Sequence, residues 1–164
     1  MRNKKNIISF VVIIIFFVVG FFLIKNNHYF VSSPSPLGRV GEGLNNIKFV
    51  KLAGQNIKVD LAVTDEARRQ GLSGRSGLGE NEGMLFIFDK PDKYYFWMKD
   101  MNFPIDMIWV TEDMKVIYIQ KNAPPEAYPE TYGPDANTKY VLEVVSGFSD
   151  KNNLKIGDSV LFTY

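Results

Sequence analysis

The run from Gly83 to Val110, GMLFIFDKPDKYYFWMKDMNFPIDMIWV, most narrows what this chain can fold into. It concentrates aromatic and methionine side chains, which demand a core, yet it sets Lys99, Asp100 and Asp106 against that apolar bulk. A charge beside a core is costly unless a counter-charge or several N–H groups meet it. The stretch therefore predicts a buried sheet with polar partners close at hand.

Gly83 to Phe88 is a continuous apolar run bounded by glycine on one side and Asp89-Lys90-Pro91 on the other, the pattern of a strand buried on both faces. Tyr94 to Met98 reads as a further aromatic strand. Ile105 to Thr111 and Val116 to Gln120 form a hairpin across Glu112-Asp113-Met114-Lys115. Upstream, Ile47 to Leu52 and Ile57 to Ala62 alternate apolar and polar residues about an Ala53-Gly54-Gln55-Asn56 turn, a second hairpin. Thr64 to Gly71 carries a capping threonine, acids in its first turn, arginines in its last and a closing glycine, so it predicts one short helix. Lys139 to Val145 and Ser159 to Thr163 supply the last strands. Asn122 to Thr138, with four prolines, is expected to be a long surface loop. The fold class is α+β and mostly β: a coiled sheet or partly closed barrel of seven to eight strands with one short helix, over residues 47–164.

Ahead of this domain, residues 1–6 form a basic n-region with Arg2, Lys4 and Lys5, and residues 7–24 are apolar except for Ser9 and Gly20. A helix of that length rises roughly 27 Å, close to the thickness of a bilayer core. The run is longer than the usual h-region of about 7–15 residues, which favours an uncleaved transmembrane anchor over a cleaved signal peptide. The basic flank places the N-terminus in the cytoplasm and the domain outside it. Residues 25–46, rich in Ser, Pro, Gly and Asn, read as a tether. Expected partners are the membrane, through residues 7–24, and a small polar ligand or envelope component.

Charge and composition prune the function classes. The net charge of +1 averages a basic leader with a domain holding 14 Lys or Arg against 17 Asp or Glu, so no nucleic-acid surface is expected. The chain has no cysteine, and its single histidine, His28, precedes the domain. Within residues 47–164 that excludes disulfides, thiolate nucleophiles, imidazole metal sites and a Ser-His-Asp triad. No metal or cofactor is expected.

Three blocks, GLSGRSGLGENEGMLFIF, FWMKDMNFPIDMIWV and KYVLEVVSGFSDKNNLKIGD, occur in this order and resemble the signature blocks of the domain of unknown function 192 family. The resemblance covers about residues 47–164. It implies a compact β-rich domain, found in bacteria and archaea, often behind a signal or anchor, with no established activity. By position it carries over Arg75, Gly83, Met84, Trp97, Met98, Lys99, Pro104, Asp106, Glu143, Gly147, Gly157 and Asp158. The chain departs from the pattern at Asp100-Met101, where many relatives have Asn-Thr, and at Glu126, where many have cysteine.

Alternation sets Tyr95, Trp97 and Lys99 on one face of their strand and Phe96 and Met98 on the other. It places Asp106 with Ile108 and Val110, and Glu143 with Val141 and Val145, so both carboxylates fall on apolar faces. Arg75 or Lys99 is expected to pair with one of them. The ligand-binding candidates are Arg75, Trp97, Lys99, Asp106 and Glu143. The first functional reading is a binding or accessory module for a small ligand or envelope component. Its alternatives are a glycan hydrolase using Asp106 and Glu143, and a structural protein-interaction domain.

Overall fold

The computed structural model describes residues 43–164. Among them no helix is long and apolar enough to cross a membrane; the expected anchor and most of the expected tether lie outside the described residues. At the tether's end, the Leu44–Asn46 turn already packs Leu44 against the core.

Among the described residues nine strands form in chain order: β1 (Phe49–Leu52), β2 (Gln55–Ala62), β3 (Glu82–Asp92), β4 (Phe96–Trp97), β5 (Ile105–Val110), β6 (Val116–Ala123), β7 (Thr131–Tyr132), β8 (Thr138–Val145) and β9 (Leu161–Thr163). The same residues hold two short α-helices, α1 (Asp65–Gln70) and α2 (Phe148–Lys151). Seven strands make one sheet in the order β6-β5-β8-β3-β2-β1-β9, while β4 and β7 pair separately. Both expected hairpins form, β1 with β2 and β5 with β6. The sheet curls into a half-barrel. Near its ends, the turn before β6 reaches the segment before β9: Val160 N donates to Met114 O at 3.0 Å, and Gly157 N to Val116 O at 2.8 Å.

The strands that read as unbroken apolar runs are the central ones. β5 and the first seven residues of β8 are buried on both faces because each has a strand on either side and a packed layer above and below. One layer gathers Val50, Ile57, Leu85, Ile108, Leu142 and Val144 inside the curl. The other gathers Met84, Phe86, Met107, Trp109 and Val141 on the outer face. Gly83 is needed where β3 meets β8, since a Cβ there would stand 2.7 Å from the Glu143 carbonyl oxygen.

Three features depart from the sequence reading. β3 continues past Phe88 to Asp92; its register with β8 breaks between Ile87 and Asp92, and the irregularity accommodates Pro91, which has no N–H to give a ladder. β2 and β3 pair in parallel, with α1 in the connection between them. The second helix, α2, has no side-chain cap of its own and begins at Gly147, whose φ of 85° suits glycine.

Candidate functional site

The parallel crossover puts α1 over the outer face of the sheet. Thr64 caps it as expected, its Oγ1 accepting from Ala67 N at 3.1 Å. Arg68 locks the helix down: it donates to the carbonyls of Val63 (2.8 Å) and Ile87 (2.7 Å), pairs with Asp65 at 2.6 Å and lies over the Phe88 ring. The glycine-rich loop after α1 is fastened to the turn beyond Met98. Ser73 Oγ donates to Lys99 O, Gly74 N to Asp100 O, and Asn102 Nδ2 to Arg75 O, all at 2.8–2.9 Å. Asp100 sits at φ 55°, a conformation that Asp and Asn tolerate better than most residues.

The aromatic segment closes the far side. Trp109 Nε1 donates to Tyr94 O at 2.8 Å, and Phe96 sets its ring edgewise against Phe86 and Trp109. Between helix, loop and aromatic segment lies a cavity of about 270 Å³. Phe86, Phe88 and Phe96 contribute apolar wall, Arg69 and the half-exposed Trp97 stand at its rim, and Glu143 belongs to its lining. Met101 also lines it and brings a thioether to the wall.

Glu143 is the unusual group here. On β8 it stands opposite Met84 of β3 and Met107 of β5. Only 5% of its surface is exposed, and its Oε2 has no hydrogen-bond partner among the described residues. Burial pushes its carboxyl up to about 8, against a weaker downward pull from the Arg75 charge. At neutral pH it is therefore a protonated acid on a mostly apolar wall.

Of the five candidates, this cavity brings together Glu143 and Trp97. Arg75 pairs with Asp60 at 2.8 Å in a separate cleft beside Glu82 and Gly83. Lys99 is exposed in a shallow depression with Glu66, Arg69 and Asp100. The expected salt bridge from Arg75 or Lys99 to Asp106 or Glu143 does not form. Asp106 is met by backbone instead, accepting from Asn122 N (2.8 Å), Gly147 N (3.2 Å) and Ser149 N (2.8 Å) while fully buried. It anchors the start of α2.

The register also removes the carboxylate pair. Met107, and not Asp106, stands opposite Glu143, so Asp106 and Glu143 point to opposite faces of the sheet. Two acids so placed cannot flank one glycosidic bond. Trp109 is entirely core. The sequence reading missed Arg68 and Arg69 as site residues, because their position at the end of a helix accounted for them without the crossover. Among the described residues no group of three His, Cys, Asp or Glu could hold a metal ion.

Similar solved structures include the following two. A Novosphingobium aromaticivorans protein of unknown function is 34% identical with a TM-score of 0.65, covering 70% of this chain and 84% of that one. A Sinorhizobium meliloti protein provisionally described as a transcription regulator is 29% identical with a TM-score of 0.66, covering 70% of this chain and 92% of that one. No curated protein matches. The model of the domain of unknown function 192 family (DUF192), described as an uncharacterized ACR, matches residues 48–162, and with that span the chain belongs to this family.

Proposed function

We propose that the chain is a small-ligand-binding module, held at the outer side of a membrane by residues 7–24 and taking its ligand in the cavity between α1 and the aromatic segment. One observation carries the reading: a buried carboxyl without a hydrogen-bond partner lines an aromatic-walled cavity. Such a group costs stability, and a bound molecule that hydrogen-bonds to it recovers that cost. At about 270 Å³ the space holds roughly nine water volumes, the bulk of an amino acid or a monosaccharide.

A second reading, a structural interaction domain, draws support from Ile156, Leu161 and Tyr164, which leave 59–67% of their surface exposed near the β9 edge. Nucleic-acid binding, which the Sinorhizobium description brings to mind, finds no support in a domain with more acids than bases.

Trp97 reports on the cavity. In a fluorescence and thermal-shift screen of small amines, amides and sugars against the full chain, a ligand is expected to change Trp97 emission and raise the melting temperature. Both effects should weaken in Met101→Trp, which narrows the cavity, while Trp97→Phe should lose the emission change alone. A ligand that binds Met101→Trp as well as the native chain would contradict the site.

A further inference from the structure

We infer that the ligand of this cavity carries an organic cation, a primary or quaternary ammonium group that lodges against the Glu143 carboxylate. The inference rests on the binding reading above and names its ligand class. Its first support is a missing partner. Buried acids in folded chains are paired, yet no ion pair reaches Glu143 among the described residues. Two of the guanidiniums nearby have other partners, Arg68 holding Asp65 and two backbone carbonyls and Arg75 holding Asp60, while Arg69 lines the cavity without forming an ion pair to Glu143.

The second support is the wall. Phe86, Phe96 and Trp97 bring ring systems to the cavity, and Met84 and Met107 flank the carboxyl in register. Aromatic faces attract ammonium groups, and thioethers are soft and weakly hydrated neighbours. In the empty protein a proton occupies the place of the cation. A cation that enters must displace it, so binding releases a proton wherever the free carboxyl is protonated.

That linkage gives a signature. Around Glu143 the charged and titratable groups are Asp65, Arg68 and Arg69 on α1, Arg75 on the following loop, and Tyr94 and Tyr95 on the aromatic segment; β3 and β5 present Met84 and Met107. Asp65 is held below the usual carboxylate range by Arg68, and burial pushes Tyr94 above the usual phenol range. Arginines keep their charge throughout. Glu143 alone is therefore expected to set the pH dependence near neutrality.

The experiment titrates the full chain with choline and with its uncharged carbon isostere, in which carbon replaces the quaternary nitrogen, following Trp97 emission. Choline has no titrating group near neutrality, so any pH dependence belongs to the protein. Choline is expected to bind about tenfold or more tightly than the isostere at pH 8. Its affinity should rise close to tenfold per pH unit from about pH 6 to 8, then level off. Glu143→Gln, which keeps the shape of the protonated acid and so the fold, is expected to lose both the preference and the pH dependence.

Equal binding of choline and isostere, or undiminished choline binding in Glu143→Gln, would overturn the cation while leaving the cavity a binding site. Binding of neither probe would overturn it too, and the broader screen then decides separately whether the cavity binds any ligand.

Discussion

The Glu143→Gln variant is expected to be more stable than the native chain at pH 8, and nearly equal to it at pH 4. In the unfolded chain this carboxyl ionises near its ordinary value of 4.5, whereas in the folded domain it holds its proton up to about 8. Between those values the folded state binds the extra proton, so native stability falls as pH rises and levels off above the folded value. The pH window of three to four units corresponds to a loss of about 3–5 kcal/mol, which glutamine, neutral at every pH, does not suffer. For a domain of this size that is roughly 10–20 °C in melting temperature at pH 8. Thermal unfolding of both chains from pH 4 to pH 9 measures it, and melting curves that stay parallel would show that Glu143 is neither buried nor protonated as described.

Asp106→Ala is expected to have the opposite sign and a comparable size. The carboxylate is fully buried and accepts from Asn122, Gly147 and Ser149 backbone N–H groups, joining β5 to the end of β6 and to the start of α2. Alanine leaves three donors without a partner at a site that water does not readily reach, at about 1–3 kcal/mol for each one orphaned. A loss of about 4 kcal/mol or more follows, enough to unfold a domain of ordinary stability at moderate temperature. Denaturant unfolding of the variant measures the loss. A change under about 1 kcal/mol would mean that the three amides find other acceptors.

These two acids show what the sequence made legible and what it hid. Alternation placed both on apolar faces and required partners for them; both are buried, but only Asp106 finds its partners, and Glu143 Oε2 has none among the described residues. Alternation could not say which partner, because backbone N–H groups belong to every residue and leave no mark in a pattern of side chains. The cap on α2 illustrates this: Gly147 and Ser149 donate to a residue 41 and 43 positions earlier, so the local sequence around Phe148 carries no capping signal. Elements specified by neighbours along the chain were readable, as with the β1–β2 and β5–β6 hairpins and α1 between Thr64 and Gly71.

The cavity was hidden for a related reason. It depends on β2 and β3 lying parallel, which carries Arg68 and Arg69 over the sheet toward Trp97 and Glu143. Strand pairing between distant segments is a property of the assembled sheet, and the alternation of Gln55–Ala62 is the same for a parallel or an antiparallel neighbour. Without that pairing, Arg75 and Lys99 were the natural cations to assign to the site. In the fold they flank it from two other depressions.

Glu143 sits protonated and without a partner among the described residues, in a cavity open to a ligand. An NMR titration of the Glu143 side-chain carboxyl in the isotopically labelled chain tests it directly, with Glu143→Gln assigning the signal. A midpoint of about 8 is expected in the free protein. A midpoint near the ordinary value of 4.5 would mean a solvated or ion-paired carboxylate, and would contradict it.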